Sequence, residues 1–184
     1  MENIFKIDYK KLKKMAQNKQ EKLRRNHTKL IMGLDISSKS TGIAIITENN
    51  ELKFMDKLYI PNYNKTDEQT KMFVFAIGLT SVIKKYNPCI AIVEDVFSRN
   101  ISTHRSLSEF HGLCKYLLAL NDIPIKYIHP SSAKSFIGCK DKEEVFNKMI
   151  KMYNLKNLKF EDANDGVDAL LIALNHKNKE KLKW

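Results

Sequence analysis

The order of apolar patterns along the chain predicts an α/β protein with a mixed five-stranded sheet flanked by helices. Three strand-like segments come first, in residues 29–60, and short polar turns join them. Two further apolar segments of strand length follow, and each comes after a segment with helical periodicity. Because hairpin connections give antiparallel pairs and helical crossovers give parallel pairs, this order combines both kinds in one sheet.

Residues 29–37 and 41–48 predict a β-hairpin that opens the sheet. Both segments are rich in Ile, and the sequence Ser-Lys-Ser-Thr-Gly at their junction is typical of a turn. Asn49-Asn50 predicts a second turn and Leu52–Ile60 a third strand, which completes an antiparallel meander. Asp35 stands inside the first apolar segment, where burying a carboxylate without a partner is costly. A metal or catalytic site explains such a charge, and a turn cap is the alternative.

A helix and a buried strand follow the meander. Residues 67–86 repeat apolar side chains at helical spacing. Cys89–Phe97 is a continuous apolar segment that ends in acid, as expected of a strand buried on both faces of a parallel sheet. Glu94 lies near the end of this strand, and sites in open α/β sheets gather at the carboxyl ends of strands.

The rest of the chain predicts four helices and one more strand. The helices are expected at residues 102–120, 129–136, 141–153 and 161–175, and the strand at residues 123–128. Asp141 is expected to cap the third of these helices, with Glu144 three residues later in the position of a capping box. Residues 154–160 predict a loop.

The charge distribution predicts a nucleic-acid partner. The 184 residues carry a net charge of +11, and residues 1–30 hold ten Lys or Arg against three Asp or Glu. A basic segment on a mildly basic body is typical of nucleic-acid binding, although a solvated Lys-rich surface gives the same count. Residues 1–28 predict a basic helix with a thin apolar stripe or a disordered tail, and residues 177–184 a short basic tail.

The composition also excludes several classes of protein. No apolar segment reaches the roughly 18 residues that a membrane span needs, and the N-terminus lacks a signal-peptide core, so we expect a cytoplasmic protein without a membrane partner. Cys89, Cys114 and Cys139 are an odd number at wide spacing, without the paired spacing of a zinc site, and we expect reduced thiols. A chain of this length suits one globular domain.

A pair of acids lies in the last predicted helix. Asp165 and Asp168 are three residues apart, so they share a face of the helix and repel each other unless something neutralises them. Acids early in a helix also favour its dipole, which is the alternative explanation. If this pair meets Asp35 and Glu94 from the sheet, four carboxylates offer the oxygen ligands that Mg²⁺ or Mn²⁺ prefers. Two such ions, roughly 3.5–4 Å apart, promote phosphodiester hydrolysis by holding the attacking water and the leaving oxygen.

Three segments of the chain resemble the RuvC family of Holliday-junction resolvases, which have the RNase H-like nuclease fold. The segments are Gly33-Leu34-Asp35 with Thr41-Gly42, Val93-Glu94-Asp95-Val96-Phe97, and Asp165-Gly166-Val167-Asp168-Ala169-Leu170. They follow the order of the family at similar spacing, over about residues 29–176. The resemblance implies a nuclease domain in these residues, in a homodimer that nicks two opposing strands of a four-way DNA junction. It also implies dependence on divalent metal and products with 5′-phosphate and 3′-hydroxyl ends.

The resemblance and the charge pattern assign roles to eight residues. Four acids are the implied catalytic residues and ligands of two Mg²⁺ ions, which Mn²⁺ can replace: Asp35, Glu94, Asp165 and Asp168. Phe97 matches an aromatic residue that stacks on a base at the junction centre, and core packing is the alternative. Charge and position make Arg99, Arg105 and Lys134 expected phosphate contacts.

The chain departs from the family in two places. Ser37 stands where the family usually has glycine, as in phage and poxvirus relatives, which favours a viral-type member. The protein is expected in the cytoplasm of a bacterial cell or of a phage-infected host. The basic segment 1–28 has no counterpart in the common cellular enzyme, so strict four-way specificity and sequence preference stay open.

Two other functions also stay open. One is an RNase H-like nuclease of the YqgF type, which processes RNA. The other is a non-catalytic module that binds branched DNA, although an unused acidic cluster on a DNA-facing surface would only repel phosphate.

Overall fold

The computed structural model describes residues 29–95 and 101–177. Five strands in these ranges form one sheet: β1 (Leu30–Asp35), β2 (Ser40–Thr47), β3 (Leu52–Tyr59), β4 (Ile90–Glu94) and β5 (Ile125–Ile128). The strand order across the sheet is β3-β2-β1-β4-β5. The first three strands form an antiparallel meander, whereas β4 joins β1 in parallel and β5 joins β4 in parallel. The predicted mixed five-stranded sheet is therefore confirmed.

The helices of the described ranges cover both faces of the sheet. They are α1 (Glu68–Tyr86), α2 (Ile101–Leu120), α3 (Pro130–Ile137), α4 (Lys142–Tyr153) and α5 (Phe160–Leu174). α1 and α2 pack on one face, where Phe75 and Phe110 meet edge to face with ring centres 5.2 Å apart. α3, α4 and α5 cover the other face. Successive residues of the central strands alternate between these two apolar layers, so the strands are buried on both sides.

The ends of several elements differ from their predicted positions. β1 ends at Asp35, two residues early, because the chain turns at residues 36–39. β4 ends at Glu94, three residues before the predicted end, since apolar side chains can continue beyond the last ladder bond. β5 begins at Ile125, because Pro124 has no N–H to donate to a ladder. These shifts make the two strand acids the last residues of their strands.

Two aspartates cap helices. The Thr70 nitrogen donates to Asp67 at the start of α1, and the Glu144 nitrogen donates to Asp141 at the start of α4, both at 2.9 Å. The predicted cap at Asp141 is confirmed. The Glu144 carboxylate accepts from the Lys140 nitrogen at 2.7 Å, one residue before the position that a capping box requires.

Some predicted features fall outside the described residues. These are the basic segment 1–28 and residues 178–184 of the basic tail. The three cysteines are free thiols. Within the part of the chain that is described, no helix has the length and apolar character needed to cross a membrane.

Candidate active site

Asp35 and Glu94 are the last residues of two adjacent parallel strands, β1 and β4. Leu34 pairs with Val93, so the two acids follow side by side at the carboxyl edge of the sheet. Both residues are half-buried, and their carboxyl groups lie close enough together to influence each other's pKa.

α5 crosses the sheet closely enough to place its acids beside these strand ends. Glycine permits this approach at two positions of the sheet. A Cβ atom at Gly33 would overlap the carbonyl of Ala169, and a Cβ atom at Gly42 would overlap the carbonyl of Asp165. Asp165 and Asp168 lie one turn apart on α5, and both are half-buried where the helix crosses the sheet. The structure thus brings both predicted helix acids to the edge that carries the strand acids.

Burial and repulsion hold the Asp35 carboxyl protonated near neutral pH. Burial, followed by the charges of Glu94 and Asp168, raises the pKa of Asp35 from 3.8 to about 8. Burial is also the main cause that raises the pKa of Glu94, and the charge of Asp168 is the second. The acids therefore form one electrostatic cluster, which a cation would stabilise.

Lys142, the first residue of α4, adds a positive charge to this cluster. Its Nζ donates to Oδ2 of Asp168 at 2.6 Å. Burial lowers the pKa of Lys142, but the bond to Asp168 and the charges of Asp35 and Asp165 outweigh burial and raise it overall. Lys142 was not predicted from the sequence, because one lysine among so many carries no local signal. Only the neighbouring cap residue, Asp141, indicated where this lysine would stand.

The donor set of the cluster suits a hard divalent cation. Its members are carboxylates, the usual ligands of Mg²⁺, and their mutual repulsion is what a bound cation relieves. Within residues 29–95 and 101–177, no three acidic, His or Cys side chains converge closely enough to hold a metal ion as they stand. Asp168 is turned to Lys142 instead. The residues fit the cation in chemistry and charge, and we expect their side chains to shift when it binds.

The predicted DNA contacts divide into two groups. Phe97 and Arg99 lie outside the described residues. Arg105 is exposed on α2 and forms an ion pair with Glu109 at 3.4 Å. Lys134 is half-buried on α3, and its charge lowers the pKa of Glu94, so it lies beside the acid cluster.

The chain is similar to known proteins over most of its length. The family described as crossover junction endodeoxyribonuclease RuvC matches residues 31–176. The RuvC protein of Prochlorococcus marinus subsp. pastoris is 31% identical over 154 residues, which cover 82% of this chain and 97% of the relative. The RuvC protein of Brachyspira hyodysenteriae is 27% identical over 158 residues, which cover 83% and 96%.

A solved structure supports the fold. Thermus thermophilus RuvC, in complex with a Holliday junction substrate, superimposes with a TM-score of 0.72 at 17% identity and covers 84% of this chain and 99% of that one. The family match includes both strand ends and the whole of α5. On these grounds the chain belongs to the RuvC family of crossover junction endodeoxyribonucleases.

Proposed function

We propose that this protein is a Holliday junction resolvase, an endodeoxyribonuclease that nicks opposing strands of a four-way DNA junction. One observation carries the proposal. This chain belongs to the RuvC family, and its fold brings four acids to one edge of the sheet: Asp35, Glu94, Asp165 and Asp168. An all-carboxylate cluster in a protein of net charge +11 suits hydrolysis of a phosphodiester, because the metal binds the acids while the basic surface retains the DNA.

The residues of the proposed site would have different roles in the reaction. RuvC-family members are metal-dependent nucleases. The four acids would hold two Mg²⁺ ions, or Mn²⁺ in their place, and such ions stabilise the charge that develops on the attacking and leaving oxygens. Lys142 holds Asp168 in place and adds a positive charge where a phosphate would bring negative charge. The proton on Asp35 would leave as the site is loaded, so that loading becomes easier as the pH rises.

The partners follow from the same proposal. Two opposed nicks require two active sites, so we infer a homodimer. Arg99, Arg105 and Lys134 would contact phosphates, and Phe97 would stack on a base at the junction centre. Residues 29–176 would form the nuclease domain, and the protein would act in the cytoplasm of a bacterium or of an infected host cell. A viral origin stays a prediction.

A nicking assay tests the proposal. The substrates are a synthetic four-way junction and a linear duplex of the same arm sequence, each incubated with Mg²⁺, Mn²⁺ or EDTA. Wild type is compared with Glu94→Gln and with Glu161→Gln. Glu161 is an exposed acid in the first turn of α5, so it serves as a matched control for the lost charge. We expect paired, metal-dependent nicks in the junction only, abolished by Glu94→Gln and retained by Glu161→Gln.

Other results would favour the alternatives. Equal cutting of forks and flaps would indicate a general nuclease for branched DNA, and cutting of structured RNA in preference to DNA would indicate an RNA-processing enzyme. Tight junction binding without cleavage in any metal would indicate a binding module and contradict the proposal.

A further inference from the structure

We propose that Ser40 is a positioning residue that orients the Asp165 carboxylate for metal binding, and that Tyr63 holds the turn which carries Ser40. This inference rests on the proposed function. The Ser40 hydroxyl donates to Oδ2 of Asp165 at 2.5 Å, across 125 positions of the chain. A hydroxyl-to-carboxylate bond of this length is among the stronger hydrogen bonds in proteins. It engages one oxygen of Asp165 and leaves the other available to a ligand.

The backbone brings these two groups within reach. Ser40 is the first residue of β2, and Gly42 two positions later lies directly beneath the backbone of Asp165. The strand and the helix are therefore in fixed contact at this point. A side chain without a hydroxyl at residue 40 would leave the Asp165 carboxylate without this bond.

Hydrogen bonds within the turn between β1 and β2 hold Ser40 in place. The Thr41 hydroxyl donates to the Ser37 carbonyl at 2.8 Å, and the Ser37 nitrogen donates back to the Thr41 hydroxyl at 3.2 Å. The Ser37 hydroxyl accepts from the nitrogens of Lys39 and Ser40. Ser37, the residue that departs from the family pattern, thus stabilises its own turn.

A second contact ties this turn to the start of α1. The Tyr63 hydroxyl donates to the Ser38 hydroxyl at 3.0 Å. The Lys71 ammonium lies 4.0 Å from the centre of the Tyr63 ring and forms an ion pair with Glu68 at 2.7 Å. Lys71 is only 6% exposed, and its contacts with the Tyr63 ring and with Glu68 favour this covered position. These contacts restrain the ring of Tyr63, and its hydroxyl links the turn to α1.

Metal ligands are commonly oriented in this way by neighbouring hydrogen-bond donors. Removal of such a donor typically costs about 10- to 100-fold in metal affinity or activity. We therefore expect Ser40→Ala to weaken Mn²⁺ binding about tenfold and Tyr63→Phe to weaken it about threefold. Tyr63→Phe keeps the ring beneath Lys71 and removes only the hydroxyl.

The test measures Mn²⁺ affinity in the full-length protein by electron paramagnetic resonance of the free ion, together with junction cleavage. The variants are Ser40→Ala, Ser40→Thr, Tyr63→Phe and Ser81→Ala. Ser40→Thr keeps the hydroxyl and should restore most of the affinity. Ser81→Ala removes a hydroxyl that bonds to a carbonyl within α1, so it controls for the loss of a serine and should bind Mn²⁺ as wild type does.

A double-mutant cycle with Asp165→Asn separates positioning from general destabilisation. If Ser40 acts through Asp165, then adding Ser40→Ala to Asp165→Asn should change the Mn²⁺ affinity by less than about twofold. The role of Ser40 would be overturned if the two substitutions lowered the Mn²⁺ affinity by independent factors that multiply in the double variant. It would also be overturned if Ser40→Ala bound Mn²⁺ as tightly as wild type. Wild-type affinity in Tyr63→Phe would overturn the role of Tyr63.

Wild-type behaviour separates this inference from the proposed function. If wild type binds Mn²⁺ and cuts junctions while Ser40→Ala is unaffected, only the positioning role fails. If wild type neither binds Mn²⁺ nor cuts junctions, both proposals fail together.

Discussion

Replacing Asp35 by Asn should stabilise the metal-free protein at neutral pH. In the folded chain the pKa of Asp35 is about 8, whereas the ordinary value is 3.8. Between these two pH values the unfolded chain releases the proton of Asp35 and the folded chain retains it. A carboxyl group of this kind favours the folded state below about pH 4, and its contribution to stability is lost as the pH rises toward 8. Asn has no proton to lose, so the variant lacks this penalty.

The structure sets the size of the effect. At about pH 7 the interval from 3.8 spans roughly three pH units, and at about 1.4 kcal/mol for each unit the ceiling is about 4 kcal/mol. We expect a gain of about 2 kcal/mol, because Asp35 is only half-buried and its carboxyl titrates together with that of Glu94. The amide that replaces the carboxyl also has to find hydrogen-bond partners.

Urea unfolding in EDTA measures this gain at about pH 4.5, 6 and 8. The free energy of unfolding of Asp35→Asn should exceed that of wild type by an amount that grows with pH. Asp162→Asn is the control, since Asp162 is an exposed acid in the first turn of α5, and its loss should destabilise the protein slightly at every pH. Saturating Mg²⁺ should stabilise wild type more than Asp35→Asn. A gain that is absent at pH 8, or equally large at pH 4.5, would refute the reasoning.

Three further predictions concern the approach of α5, the basic segment and the lysine of the site. Gly42→Ala should destabilise the protein by about 3 kcal/mol, because its Cβ would overlap the backbone of α5. Gly112→Ala is the control, since Gly112 lies in open space on α2, and it should stabilise the protein by about 0.5–1 kcal/mol. Equal unfolding midpoints for the two variants would contradict both expectations. Deleting residues 1–28 should weaken junction binding and reduce its salt dependence, and an unchanged salt slope in a binding titration would exclude the segment from the DNA contact. Lys142→Met should raise the pKa of Asp35 above about 8, as measured by carboxyl NMR titration, and a lower pKa would contradict the proposed electrostatics.

Periodicity in the sequence was sufficient to predict the fold because each element has a distinct pattern. The order of hairpin strands and helical crossovers predicted a sheet with both antiparallel and parallel pairs, whereas the pairing of β4 with β1 is seen only in the structure. Element ends were less accurate. The fourth strand was predicted over residues 89–97, but β4 covers Ile90–Glu94, since side-chain polarity does not show where ladder hydrogen bonds stop.

The parts of the candidate site that the sequence did not predict depend on tertiary contacts. Lys142 and Ser40 are ordinary residues for a helix start and a turn, and neither breaks a local rule. Each joins the site only because α4 and β2 begin beside α5 in the folded chain. A single sequence does not show which residues far apart in the chain come into contact, so these contacts are visible only in the folded structure.

Asp35 and Glu94 could be predicted because they break a rule. A carboxylate that ends a buried strand is unfavourable to folding, and the raised pKa of Asp35 reflects this cost. The same repulsion between carboxylates favours the binding of a cation, since a positive charge that neutralises the cluster removes the free-energy cost of burying it. Gly33 and Gly42 add to this cost, because they bring α5 and its acids to a cluster that already repels charge. We therefore expect the acids and the glycines together to lower the stability of the metal-free protein, and a cation that neutralises the cluster to restore it.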